Sequence, residues 1–354
     1  MSKILVINPG STSTKVALFE DTQPAWQETI EHASSELQRF VQVSEQLDWR
    51  SSLISRLLEE KRLAPDELAA VVGRGGLLKP VSGGTYIINE RMLDDARNGI
   101  QGEHAANLGC ALAAQIAKTG NVPAYVVDPI SVDEFEPLAR YSGHPQIERR
   151  CLAHALSIHA VARDAAEKLG VDFHQTNFVV AHLGGGISVA AVRHGRIIDV
   201  NDASSDGPFS PERTGGLPLQ PFIGLCFSGK FSERDIRKQV MGSGGLLAFL
   251  GTSSAKEVES QIAAGDQKAH EVYQAMAYQI AKEIGAMSAV LHGGVRAIIL
   301  TGGLAKSNLL TGWITERVKN VAEVLIFAGE FEMEALAAGA LRVLTGEEAA
   351  KIYP

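Results

Sequence analysis

The stretch Ile4-Leu5-Val6-Ile7-Asn8-Pro9-Gly10-Ser11-Thr12-Ser13-Thr14-Lys15-Val16-Ala17-Leu18-Phe19 decides how the rest of the chain is read. Four β-formers run into a cluster of Asn, Pro, Gly, Ser and Thr, and a second apolar run follows, which is the pattern of a hairpin. Gly10 leaves backbone N–H groups open to a ligand with no Cβ in the way. The hydroxyls of Ser11, Thr12, Ser13 and Thr14 add donors, and Lys15 adds a positive charge. Taken alone, the loop fits a phosphate cradle or a solvent-exposed polar turn.

The theme returns in the second half. Residues 178–181 predict a strand, His182-Leu183-Gly184-Gly185-Gly186 a turn, residues 187–192 the return strand and residues 196–200 a third strand after His194-Gly195. The strand at 297–300 enters another glycine turn, Thr301-Gly302-Gly303. Strand–glycine turn–strand thus occurs near 4–19 and again near 178–192, either as two unrelated hairpins or as a repeated structural unit. Two common phosphate fingerprints fail. Residues 10–15 lack the second glycine of a Walker loop and continue as strand, and the Gly184-Gly185-Gly186 run lacks GxGxxG spacing. A hairpin-type phosphate loop is left.

Composition narrows the classes around that loop. A chain of 354 residues has room for about two domains. Hydrophobic residues at 45% and charged residues at 21% argue against disorder. The net charge of −8 argues against generic binding to nucleic acid or to an anionic membrane. Cys110, Cys151 and Cys226 show no CxxC spacing, so neither a disulfide framework nor a zinc site is expected, and a reducing cytoplasm is the simplest setting. No signal-peptide core and no uncharged apolar run of membrane-spanning length is present. Glycine is plentiful, at 35 residues, which points to backbone turns that side chains would obstruct.

The remaining elements place the charged candidates. Helices are predicted at 51–63, with Leu53, Leu57 and Leu58 on one face, at 102–118, near 151–168 and at 270–291. A last amphipathic helix carries Met333, Leu336, Ala337, Ala340, Leu341 and Leu344 on one stripe. The strand at 69–72 runs into Gly73-Arg74-Gly75-Gly76, and the strand at 124–127 ends at Asp128. Arg74 and Arg213, both in glycine turns, are either solvated or placed to clamp a phosphoryl group. Asp128 is either a functional carboxylate at a strand end or a turn former before Pro129. His154 and His159 would be separated by about 140° on a helix and cannot share a metal.

Residues 6–15 resemble the first signature of the acetate kinase family, whose Asn-x-Gly-Ser-Ser/Thr-Ser-x-Lys core is specific. Ala181-His182-Leu183-Gly184-Gly185-Gly186 is similar to the family's second phosphate loop, and Leu300-Thr301-Gly302-Gly303-Leu304-Ala305-Lys306-Ser307-Asn308 to its adenosine loop. Gly73-Arg74-Gly75-Gly76-Leu77-Leu78 replaces the Arg-x-x-His-Gly of acetate kinases, which moves the likeness toward the butyrate-specific branch. The resemblance implies an α/β fold of two related actin-like, ribonuclease H-like domains, as in acetate and sugar kinases, Hsp70 and actin, with nucleotide in the cleft between them. The expected division is 1–150, joined by a C-terminal helix at about 333–354, and 151–332.

The resemblance also implies roles, position by position. Asn8, Gly10, Ser11, Thr12, Ser13 and Lys15 would form the first phosphate loop, Gly184, Gly185 and Gly186 the second, and Gly302, Gly303 and Asn308 the adenosine loop. Arg74 would hold the acyl carboxylate and the transferring phosphoryl group, with Arg213 and His182 on that group and His154 near the substrate. Asn8, Asp128 and a C-terminal glutamate, Glu332 or Glu334, would serve Mg²⁺. The acetate kinases' charged pair near the adenosine is replaced by Gly251-Thr252-Ser253-Ser254-Ala255-Lys256, so the adenosine contacts are not transferable.

The implied reaction moves the γ-phosphoryl of ATP onto a small carboxylic acid, butanoate above all, giving an acyl phosphate and ADP. The implied assembly is a homodimer or higher homo-oligomer. Three rivals stand beside this reading: a kinase of the same fold acting on a sugar hydroxyl with Asp128 as base, an actin- or Hsp70-like ATPase, and a dinucleotide oxidoreductase. The missing fingerprint weakens the last.

Overall fold

The computed structural model describes residues 1–354, which form two compact units, Met1–Asp133 with Phe331–Pro354, and Glu134–Glu330. The change of unit thus comes at 133/134, against the 150/151 boundary expected from sequence. Residues 134–149 are tied to the second unit by backbone and side-chain bonds. Ile197 N donates to Glu134 Oε2 at 2.9 Å, and Arg149 Nη1 meets Asp199 Oδ1 at 2.9 Å.

In the first unit the strand Lys3–Pro9 is central. Ile4, Leu5, Val6 and Ile7 are all fully buried, as an unbroken apolar run between two covered faces requires. It pairs antiparallel with Ser13–Glu20, which pairs antiparallel with Gln23–Glu31. On its other side lie, in parallel, Ala70–Arg74 and then Ala124–Val127. Thr85–Ile87 and Lys351–Ile352 complete a seven-stranded sheet. The helix Asn107–Gly120 crosses Ala70–Arg74 at glycine: a Cβ on Gly73 would lie 2.1 Å from the Gly109 carbonyl oxygen. The last long helix, Glu332–Leu344, lies against Ala124–Val127, where a Cβ on Gly339 would fall 2.5 Å from Val127 Cγ1.

In the second unit Asn177–Leu183, Ile187–Arg193 and Arg196–Val200 form the antiparallel meander. Ala297–Gly302 and Glu323–Ala328 follow in parallel beside Asn177–Leu183. The helix Gln267–Val290 buries Tyr273, Met276, Ala277, Ile280 and Ile284 against this sheet.

Both sheets therefore share one pattern: an antiparallel meander of the first three strands, followed beside the first strand by two parallel strands, Ala70–Arg74 and Ala124–Val127 in one sheet and Ala297–Gly302 and Glu323–Ala328 in the other. This is the repeated unit that the two glycine hairpins suggested, and the ribonuclease H-like α/β class. Several boundaries differ from the sequence expectation. The helix expected from 51 is Leu47–Glu60 and buries Arg50, Ile54 and Leu58 rather than Leu53, Leu57 and Leu58. The helix expected from 102 starts at Asn107, after Gly102 in a positive-φ turn, and the one expected near 151 starts at Ala155. The strand Gln23–Glu31 was not expected, because an edge strand with no buried residue carries little apolar signal.

Candidate active site

The carboxyl ends of the parallel strands are where an open α/β sheet places its ligands. In the first unit three candidates stand there: Asn8 near the end of Lys3–Pro9, Arg74 as the last residue of Ala70–Arg74, and Asp128 just after Ala124–Val127. Arg74 and Asp128 are 6% and 4% exposed, so neither is a solvated turn residue. Arg74 Nη1 donates to the Asp128 carbonyl at 3.2 Å. Asp128 has φ +39°, in the left-handed region, and is held there by Gly84: its N–H donates to Gly84 O at 3.0 Å and its Oδ1 accepts from Gly84 N at 2.7 Å.

The first turn of Glu332–Leu344 completes the cluster. Asn8 Nδ2 donates to Glu332 Oε2 at 2.8 Å, and Arg74 Nη2 lies 3.7 Å from Glu332 Oε1. Glu334 is exposed on another face of the helix, so of the two glutamates only Glu332 meets the other candidates. Its carboxylate and the amide of Asn8 offer hard oxygen donors. No group of three or more His, Cys, Asp or Glu converges anywhere in the chain. One carboxylate and one amide oxygen fit Mg²⁺, which takes few protein ligands and keeps waters and phosphate oxygens.

Two parts of the expectation change here. Gly73, Gly75 and Gly76 serve close packing rather than an open turn: their Cβ atoms would fall on Gly109, on Val126 and Pro129, and on Asn107. Thr14, counted among the loop's outward donors, is buried with its hydroxyl 2.8 Å from His32 Nε2. Strand alternation leaves Ser13 and Lys15 on the opposite face, while Ser11 and Thr12 are exposed at the turn, closed by Gly10 N to Ser13 O at 2.8 Å.

His104 lies near enough to Arg74 and Glu332 to feel their charges, and sequence reasoning did not single it out. Its pKa is lowered, by burial first and by Arg74 second, with Glu332 opposing, so it stands within the field of that pair. Its Nδ1 accepts from Ala106 N at 3.1 Å. No spacing in the chain links residue 104 to 74 or 332.

In the second unit His182, on the end of Asn177–Leu183, stacks on His154, with ring centroids 4.1 Å apart and planes at 16°. His154 immediately precedes the helix Ala155–Leu169, and its Nδ1 is 3.0 Å from the hydroxyl of fully buried Ser188. Two histidines read separately from sequence thus form one pair.

The glycine turn that follows is shaped around Arg213. A Cβ on Gly186 would lie 2.5 Å from Arg213 Nη1, which donates to Ala203 O at 3.0 Å, while Ser210 Oγ donates to Gly185 O at 2.6 Å. Thr301 pairs with His182 in the parallel ladder, which brings Gly302 and Gly303 to the same sheet end. Ser307 then caps the helix Asn308–Val318 by accepting from Leu310 N at 2.9 Å, and the amino end of that helix favours anions.

Comparison with known proteins gives these clusters a family. Residues 140–352 match the model of the acetokinase family. A protein of Listeria welshimeri named probable butyrate kinase is 50% identical over 351 residues, covering 99% of both chains. The chain belongs to the acetokinase family. Butyrate kinase 2 of Clostridium acetobutylicum is 49% identical over 352 residues, again covering 99% of both.

The acetokinase match by itself spans the second unit from residue 140 on, with its glycine loops, and the helix Glu332–Leu344 of the first unit. The first loop, at 8–15, lies outside it and rests on the full-length relatives. The fold agrees with that of Porphyromonas gingivalis acetate kinase at a TM-score of 0.80, with 19% identity, over 98% of this chain and 100% of that one. No helix is long and apolar enough to cross a membrane.

Proposed function

We propose that the chain transfers the γ-phosphoryl group of ATP to the carboxylate of butyrate, giving butyryl phosphate and ADP. A carboxylate oxygen attacks phosphorus as the bond from phosphorus to the β,γ-bridging oxygen breaks. The observation that carries this reading is Arg74, buried at a strand end between the Asp128 carbonyl and Glu332, in a chain half identical to proteins named butyrate kinases.

The chemistry asks for fixed positive charge more than for a base. Carboxylic acids titrate near pH 4–5, roughly as side-chain carboxyls do, so the acceptor is ionised at neutral pH. The obstacle is repulsion between an anionic acid and a polyanionic tail. Arg74, Lys15 and Arg213 are the cations that answer to this need. The stacked His154–His182 pair, pinned through Ser188, offers ring N–H groups to the phosphoryl oxygens. Mg²⁺, held by Glu332 and Asn8, would neutralise phosphate charge when bound. Asp128 acts as a positioning group: its Oδ1 already accepts from Gly84 N, which supports an acid acceptor over a hydroxyl that needs a base. Gly302, Gly303 and Asn308 hold the adenosine side.

Acyl-chain preference is a matter of about 1–3 kcal/mol per methylene, so isobutyrate, propionate and acetate are the natural secondary substrates. A homodimer or larger homo-oligomer is supported by the apolar helix Leu219–Cys226, which buries no residue and leaves Leu219 72% exposed. A cytoplasmic enzyme fits the three free cysteines. Release of ADP in the presence of carboxylic acids and of sugars tests the assignment. Butyrate-dependent release supports it, and sugar-dependent release alone would overturn it.

A further inference from the structure

Arg50 faces inward from the helix Leu47–Glu60 beside Ile54 and Leu58, with 1% of its surface exposed. Its guanidinium meets only neutral acceptors. Nη1 donates to Gly10 O at 2.9 Å, Ser13 O at 3.2 Å and Thr14 Oγ1 at 3.0 Å. Nε and Nη2 both donate to Gln46 Oε1, at 3.1 and 2.8 Å. Burial lowers its pKa to about 10, which leaves it cationic at neutral pH. His32, on the far side of Thr14, adds no second positive charge. Burial, and then Arg50, lower its pKa to about 4, so it is neutral.

A buried cation without a counter-charge is costly, and a carboxylate at the acceptor position is the ordinary remedy. This chain has Gln46 there instead. The cation also grips one particular object: the turn between Lys3–Pro9 and Ser13–Glu20. Arg50 takes the carbonyls of Gly10 and Ser13, and His32 N donates to Thr12 O at 2.8 Å. Because the peptide is planar and trans, a carbonyl fixed toward Arg50 turns the next N–H, that of Ser11, the other way.

We propose that Arg50 is a positioning residue and standing positive charge beneath the first phosphate loop, left unbalanced in the protein so that the terminal phosphoryl group of a nucleoside triphosphate completes the pairing. The proposal rests on the reading of residues 8–15 as the loop that meets that group. It explains both oddities together, the missing carboxylate and the choice of backbone carbonyls as acceptors. ADP lacks the terminal group, so the charge distinguishes triphosphate from diphosphate.

The test is Gln46→Glu, which keeps the acceptor atom and the side-chain size and adds the counter-charge. Calorimetric titration with MgATP and with MgADP reads the two affinities without turnover. In Gln46→Glu the MgATP affinity is expected to fall about tenfold and the MgADP affinity by less than about twofold, with the melting temperature held or raised. Gln46→Met, which removes the acceptor and adds no charge, is expected to lower the melting temperature and leave the ratio of the two affinities near wild type. Unchanged MgATP affinity in Gln46→Glu would overturn the proposal, as would an equal shift of the ratio in Gln46→Met. Wild-type protein that binds MgATP but never turns over butyrate would defeat the functional reading alone, and the two variants would still decide the role of Arg50.

Discussion

Asn8 and Glu332 meet through a hydrogen bond of 2.8 Å although 324 positions of chain separate them. The first strand and the first turn of the last long helix are thus joined at one polar point. Glu332 also gains from the positive end of its own helix. The bond ties the opening motif to a glutamate that no spacing rule could have selected.

Glu332→Gln should lower kcat by about 100-fold or more, because the carboxylate that Asn8 and Arg74 both face is lost. Glu334→Gln, on the exposed face, should stay within about twofold of wild type. Steady-state assays of both variants at saturating ATP check this. The reverse pattern would move the metal-side role to Glu334.

Arg74→Lys should cost about 100-fold in kcat/KM for butyrate while the far-UV circular dichroism spectrum is retained. A lysine keeps the charge but loses the planar fork that now spans the Asp128 carbonyl and Glu332. Wild-type kinetics in this variant would remove Arg74 from the reaction.

Gly186→Ala places a methyl 2.5 Å from Arg213 Nη1, so the guanidinium must move. A loss of about 10–100-fold in kcat is expected. If the effect runs through Arg213, combining Gly186→Ala with Arg213→Ala should cost little more than Arg213→Ala alone. Full additivity in that double-mutant cycle would show that the glycine acts elsewhere.

The His32 pKa of about 4 has a consequence for stability. The unfolded chain's His32 takes up its proton near pH 6.5, whereas the folded one stays neutral down to about pH 4. Between those values the unfolded state binds more protons, so stability falls as pH is lowered through the window and is fully present above it. Urea unfolding from pH 7.5 to 4.5 should show that slope, and His32→Gln should flatten it. An unchanged slope would mean that another group sets the acid sensitivity.

Much of the architecture was legible because it rests on local signals. The runs at 4–7 and 178–181 are buried strands, and the glycine turns after them interrupt unmistakably apolar sequence. The site was harder, since its residues are gathered by pairing rather than by spacing. His154 meets His182 only because a helix starts beside the strand end.

Arg50 left one trace that could have been found. It falls on the stripe Leu47, Arg50, Ile54, Leu58, where a charged residue interrupts an apolar helix face. The glycines at 73–76 read as turn residues, yet they serve close packing. A demand for close helix–strand packing and a demand for open backbone leave the same residue in the sequence.

The most direct test of the central claim is to trap the product. Purified protein with ATP, Mg²⁺ and hydroxylamine should convert butyrate to its hydroxamate in proportion to ADP formed, with acids from two to six carbons ranked around the four-carbon chain. ADP released with no hydroxamate from any of these acids would contradict phosphoryl transfer to a carboxylate.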